Sequence, residues 1–109
     1  MSDPTRIAQL LASEVDGREE GVFAALSVVD ADRDAEPSPG GTPAYGVAAA
    51  DERFATVVLY PERTVVEGDE DLAHAAGERG LSVGEAGVEV PDGAAVKRAA
   101  AALAERATV

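Results

Sequence analysis

Three aspartates at alternating positions, Asp30, Asp32 and Asp34, directly follow an apolar run and have a spacing that metal chemistry could use. A calcium-binding loop takes oxygen ligands from its positions 1, 3 and 5, a glycine at position 6 and a bidentate glutamate at position 12. The aspartates match the first three positions, but Ala35 replaces the glycine and Gly41 stands in place of the glutamate. The partial match predicts a hydrated acidic loop rather than a metal site, with the three aspartates as the candidate ligands if a cation binds.

His74 is the only histidine and the second residue whose neighbours suggest chemistry. Asp71 precedes it by three residues and Glu78 follows it by four, which places all three side chains on one face of a helix. A carboxylate can orient an imidazole as a general base or as a metal ligand. The H-E-x-x-H pattern is absent, and a catalytic metal needs further converging ligands. We therefore predict no catalytic residue and keep this trio as the candidates for an enzymatic or cation-binding alternative.

Other common motifs of catalysis and cofactor binding are missing from the chain. There is no cysteine, and no serine lies in a G-x-S-x-G sequence. The glycines of "GERGLSVGEAG" fit neither a dinucleotide-binding motif nor a P-loop, and its two glutamates would repel a phosphate. The sequence predicts no cofactor.

The charge of the chain is its strongest overall signal. Acidic residues number 21 against nine basic ones, Lys97 is the only lysine, and the net charge is −12. A folded chain of this size exposes about 5,700 Å², so it carries about one net charge per 500 Å². In about 1 M salt the Debye length is near 3 Å, and this repulsion is largely screened. The acidic, lysine-poor composition, with 23 alanines and 14 valines, is typical of proteins from cells with a molar-salt cytosol.

The same composition argues against several classes of partner and location. Nucleic-acid binding needs clustered basic residues, whereas here they are scattered among acids. No apolar run approaches the 18 residues or so of a membrane span, and the first 15 residues do not resemble a signal peptide. We expect a cytoplasmic protein that binds neither nucleic acid nor membrane.

Two segments frame the acidic loop. Asp3 and Pro4 are suited to begin a helix that Gly17 ends. Residues 21–30 favour a buried strand, but a helix over residues 18–29 is the competing interpretation, since periodicity alone does not separate the two. Residues 31–43 contain three prolines and two glycines, which predicts a long loop, either functional or flexible.

The remaining segments predict a sheet with helices on it. The apolar runs "AYGVAAA", "FATVVLY" and "TVVEG" are separated by short polar breaks, as in an antiparallel meander. A short helix capped by Asp69, a strand over residues 81–91 with a bend at its glycines, and a final helix capped by Asp92 follow.

We expect one α+β domain over residues 1–109, a mainly antiparallel sheet of four to five strands with two to three helices packed on it, in the order α-β-β-β-β-α-β-α. This order is similar to the core of restriction-endonuclease-like nucleases and equally to that of other small sheet-plus-helix folds. Such a scaffold would be inactive, because "FATVVLY" contains no acid and Lys97 lies on the last helix.

Binding remains as the predicted function. Tyr45 and Tyr60 lie on or next to predicted strands and are the candidate interface residues, since aromatic side chains are favoured at interface cores. Separately, the alanine-rich last helix or an edge strand could form a homodimer interface or bind another protein partner. The sequence thus predicts a non-catalytic, cytoplasmic binding or interaction module of a salt-adapted cell.

Overall fold

A computed structural model of the chain describes residues 3–17, 26–49 and 52–107. Within these ranges the chain forms three helices and six strands. In chain order the elements are α1 (Pro4–Gly17), β1 (Leu26–Val29), β2 (Thr42–Ala49), β3 (Glu52–Tyr60), β4 (Arg63–Glu67), α2 (Glu70–Glu78), β5 (Val83–Gly84), β6 (Gly87–Val90) and α3 (Gly93–Ala107). The predicted α+β class and order of elements are confirmed, with six strands in place of four to five.

The six strands form one antiparallel sheet in the order β1-β2-β3-β4-β6-β5. The predicted meander is its centre, and a tight turn at Pro61 and Glu62 joins β3 to β4. After α2 the chain enters the sheet at its outer edge as β5 and returns beside β4 as β6. Of the strand expected over residues 21–30, the structure shows β1 at residues 26–29, while residues 18–25 lie outside the described ranges.

The extra strand arises where a single strand was predicted over residues 81–91. Gly84 and Gly87 are paired across a two-residue turn, so the segment is a hairpin. Gly87 has φ +136°, and a Cβ atom on it would lie 2.5 Å from the carbonyl oxygen of Val66. Only glycine fits there, and it lets the returning strand approach β4 closely.

An aspartate begins each helix by accepting a backbone hydrogen bond. The carboxylate oxygens lie 3.0 Å from Thr5 N for Asp3, 3.0 Å from Leu72 N for Asp69 and 2.9 Å from Ala95 N for Asp92. These are the predicted caps, and each satisfies an N–H group that the helix itself leaves unpaired.

The helices cover one face of the sheet, with α3 between α1 and α2. Alternate strand residues such as Val47, Val57 and Val66 point into this layer and form the core with Leu11 and other helix side chains. The buried side of α3 lies in the core, and five of its seven buried residues are alanines, which allow the helices to pack closely.

Two buried hydroxyl groups attach α1 to the sheet. The Tyr45 hydroxyl donates to the Ala8 carbonyl at 2.6 Å, and the Thr64 hydroxyl donates to the Pro4 carbonyl at 2.7 Å. Each buried polar group is thereby satisfied, and α1 is held in one position relative to β2 and β4. Within the described ranges no helix is both long and apolar enough to cross a membrane.

Candidate functional site

Two of the three alternating aspartates make separate side-chain contacts. Asp30 has a left-handed backbone, φ 53°, and its carboxylate lies 3.0 Å from the guanidinium of Arg53. Asp32 Oδ1 accepts from the backbone N–H of Asp34 at 2.9 Å, which closes a local turn. Among the described residues there is no group of three or more histidine or acidic side chains that could hold a metal ion. The contacts of Asp30 and Asp32 therefore shape the loop.

His74 and Glu78 are brought together, but on an open surface. The imidazole Nε2 lies 3.2 Å from the Glu78 carboxylate, one helical turn along α2, and the histidine side chain is 79% exposed. Asp71 is exposed in the first turn of the same helix. A surface pair at this spacing supports the helix and leaves the imidazole surrounded by water.

The two candidate interface tyrosines differ in their surroundings. Tyr60 is half-buried at the end of β3, and the Arg63 guanidinium lies 4.8 Å from its ring centre. Tyr45 is only 6% exposed and points under α1. Its ring is nevertheless accessible from one direction, because it forms part of the lining of a cleft.

This cleft, which we call the α1–loop cleft, has a volume of about 390 Å³ and lies between α1 and residues 31–35. Its helical wall is formed by Thr5, Ala8, Gln9 and Ala12. Their spacing of three, four and seven residues places them on one side of α1, next to the side that packs in the core. Because two of the four are alanines, the helix leaves space where larger side chains would fill it.

The floor of the cleft consists of Val28, Ala44, Tyr45 and Leu59 from three adjacent strands. Its opposite wall is fixed to the sheet, since the backbone N–H of Asp32 donates to the Ala44 carbonyl at 2.8 Å. The floor is fixed to the helix through the Tyr45 hydroxyl. Hydrogen bonds therefore hold the cleft open from both sides, and no rearrangement is needed to form it.

The mouth of the cleft carries its polar groups. Asp32 and Arg33 are exposed, consecutive and of opposite charge, and Thr5 and Gln9 face them from the helix. A concave, mainly apolar cavity with a few polar groups is the usual form of a small-molecule site. The sequence pointed to the loop and to Tyr45 but missed Ala8 and Ala12, because an alanine on a helix gives no signal that separates a cavity wall from a packed one.

A second cavity, of about 460 Å³, surrounds an ion pair between Asp69 and Arg106. Arg106 Nε and Nη2 lie 2.8 Å and 2.7 Å from Asp69 Oδ2, and the guanidinium lies 5.2 Å from the centre of the Phe54 ring. Hydrogen bonding to Arg106 lowers the pKa of Asp69, and the same contact raises the pKa of Arg106. The pair connects the start of α2, the end of α3 and β3, and its charges are already neutralised.

Comparison with curated proteins and with solved structures found no significant match. A family model described as "Family of unknown function (DUF7993)" matches residues 1–108, nearly the whole chain. The chain, with its α1–loop cleft, therefore belongs to this family of unknown function.

Proposed function

We propose that the chain is a non-catalytic binding module of a salt-adapted cytoplasm, and that it binds its ligand in the α1–loop cleft. The observation that carries this proposal is the cleft itself, an apolar cavity of about 390 Å³ with polar groups at its mouth. Its walls are held by the hydrogen bonds from Asp32 to Ala44 and from Tyr45 to Ala8. A site that is formed before the ligand arrives loses less free energy to ordering when it binds.

The placement of the acidic residues supports salt adaptation. Of the 17 acidic residues whose burial is described, 14 are exposed and none is buried. Those with identified contacts cap helices, close a turn, or pair with an arginine or with His74. Most of the acidic side chains face water, where they are well placed to hold hydration and counterions in concentrated salt.

A homodimer or another protein partner belongs to the same proposal. The alanine-rich face of α3 is covered by α1 and α2 in the monomer, so a second copy would have to use another surface. The outer edge at β5, where Val83 is 45% exposed, is one such surface. A single monomeric mass by light scattering in 3 M KCl would contradict self-association. The proposal that a ligand binds in the cleft would still stand.

The cleft is tested by mapping where small organic molecules bind. We expect 2-propanol and phenol, titrated into the ¹⁵N-labelled chain in 3 M KCl, to shift the amide signals of Ala8, Ala12, Asp32 and Ala44 most strongly. Ala12→Leu places a larger side chain in the cleft and should abolish these shifts. The matched variant Ala101→Leu, at a half-buried alanine of α3 outside the cleft, should retain them. Small shifts spread evenly over the chain would show that the cleft is not a binding site.

A further inference from the structure

The mouth of the α1–loop cleft carries two opposite charges that are available to a ligand. Asp32 uses Oδ1 for the turn to Asp34, which leaves Oδ2 without a partner among the described residues. The Arg33 guanidinium likewise has no hydrogen-bond or ion-pair partner within the described ranges. The neighbouring Asp30 differs, because its carboxylate is paired with Arg53. Among the described residues that line the cleft, the Asp32 Oδ2 atom can thus still accept a hydrogen bond, and the Arg33 guanidinium can still donate.

The interior behind these charges is apolar. Five of the twelve lining residues are alanines, and Val28, Tyr45 and Leu59 are the larger apolar residues among them. The volume of about 390 Å³ lies near the lower end of the range for small-molecule sites. The cleft is therefore suited to a compact ligand with an apolar body and a charged head.

Building on the proposed binding function, we propose that the ligand is a zwitterion with an apolar body, namely a free α-amino acid with an aliphatic or aromatic side chain. Its carboxylate accepts hydrogen bonds from Arg33, and its ammonium group donates to Asp32 Oδ2. Its side chain lies against Ala8 and Ala12. An ionised donor paired with an ionised acceptor makes the stronger class of hydrogen bond, and this class acts at short range even where salt screens distant charges.

Ligands with a single charge fit the same cleft less well. A simple carboxylate would pair with Arg33 but bring no ammonium group to offset the Asp32 carboxylate, and a simple amine would pair with Asp32 but bring no carboxylate for Arg33. Like charges at close range oppose binding and so give selectivity. A peptide is also disfavoured, because its ammonium and carboxylate groups lie at opposite ends and only a free amino acid carries both on one carbon.

Three molecules with the same apolar body test the head group. L-Leucine carries both charges, 4-methylpentanoate lacks the ammonium group, and 3-methylbutylamine lacks the carboxylate. In titrations of the ¹⁵N-labelled chain in 3 M KCl, we expect leucine to shift the cleft amides and to bind at least about fivefold more tightly than either analogue.

Two variants assign the charges. Asp32→Asn keeps the oxygen that accepts from Asp34, and Arg33→Gln changes an exposed side chain, so both should fold. Each should weaken leucine binding about five- to tenfold. Asp32→Asn should also remove the advantage of leucine over 4-methylpentanoate, and Arg33→Gln its advantage over 3-methylbutylamine. Arg98→Gln, at an exposed arginine of α3, is the matched control and should leave binding unchanged.

The outcomes separate this inference from the proposed function. If phenol occupies the cleft while leucine does not bind there, or binds no better than its two analogues, the amino-acid assignment is overturned and the binding site remains. If neither phenol nor leucine shifts the cleft amides, the proposed function fails as well.

Discussion

At the scale of single residues, the acidic side chains that make identified contacts have structural roles. Asp3, Asp69 and Asp92 accept from the first backbone N–H groups of the three helices. Unlike the other two, Asp69 also forms an ion pair, because Arg106 at the end of α3 donates to the same carboxylate. A capping aspartate contributes about 1 kcal/mol to stability, and a partly exposed ion pair adds about 0.2–1 kcal/mol.

The two capping aspartates of α2 and α3 form a matched pair for experiment. Asp92→Ala should lower the free energy of unfolding at pH 7 by about 1 kcal/mol, and Asp69→Ala by about 1–2 kcal/mol, because only the second also removes an ion pair. Asp69→Asn keeps the cap and should lose only the contribution of the pair. Urea unfolding in 3 M KCl, followed by circular dichroism, measures all three. Equal losses for the two alanine variants would contradict a role for Arg106.

The difference in stability loss between Asp69→Ala and Asp92→Ala should depend on pH, and the sign of that dependence follows from the pKa of Asp69. The pKa of Asp69 is lower in the folded chain than in the unfolded chain, chiefly because Arg106 donates hydrogen bonds to it. The stabilisation is therefore complete above the ordinary titration range of an aspartate, near pH 4, and is lost as the pH falls through the folded pKa. The excess cost of Asp69→Ala over Asp92→Ala should shrink between pH 5 and pH 3. An excess that grows over this range would show that the ion pair is not its source.

At the scale of the elements, small residues determine how closely the parts approach. Alanines on α3 allow it to pack between its neighbours, while Ala8 and Ala12 on α1 leave the cleft open. Gly87 brings β6 against β4, where a side chain would meet the carbonyl of Val66. The same small-residue composition thus gives a closely packed layer at one place and a cavity at another.

Most of the elements could be predicted from the sequence because their signals are local. A capping aspartate before a periodic apolar stripe predicts a helix, and polar breaks between apolar runs predict the turns of the meander. The hairpin of β5 and β6 was missed, because the positive φ of Gly87 depends on its contact with β4. The cleft was missed for a related reason. Ala8 is buried in the core, and the cavity beside it is bounded by residues 31–35, which are distant in sequence.

The close approach at Gly87 can be tested with a second glycine of the same hairpin. Gly87→Ala should lower the free energy of unfolding by more than about 2 kcal/mol, because it places a Cβ atom in a positive-φ conformation against backbone. Gly84→Ala should change it by no more than about 0.5 kcal/mol, since its Cβ would meet only the end of the Glu89 side chain at 3.3 Å. Comparable losses in urea unfolding would contradict this packing of β6 on β4.

At the scale of the whole molecule, charge sets the conditions under which the fold is stable. A net charge of −12 over an accessible surface of 6096 Å² is roughly one net charge per 500 Å², enough for self-repulsion to oppose the compact state in dilute buffer. Concentrated salt shortens the Debye length to a few ångströms and removes most of this cost. We therefore propose that most of the exposed carboxylates are an adaptation to concentrated salt and that specific recognition takes place in the cleft.

The most direct test is the free energy of unfolding measured by urea between 0.05 M and 3 M KCl, for the natural chain and for a variant with Glu36→Lys, Glu62→Lys and Glu85→Lys. These side chains are exposed, and two charge units per site take the net charge from −12 to about −6. We predict that the natural chain gains stability steadily with KCl, and that the variant is more stable at low salt and gains less. A natural chain equally stable at 0.05 M and 3 M KCl, or a variant with the same salt dependence, would contradict the account.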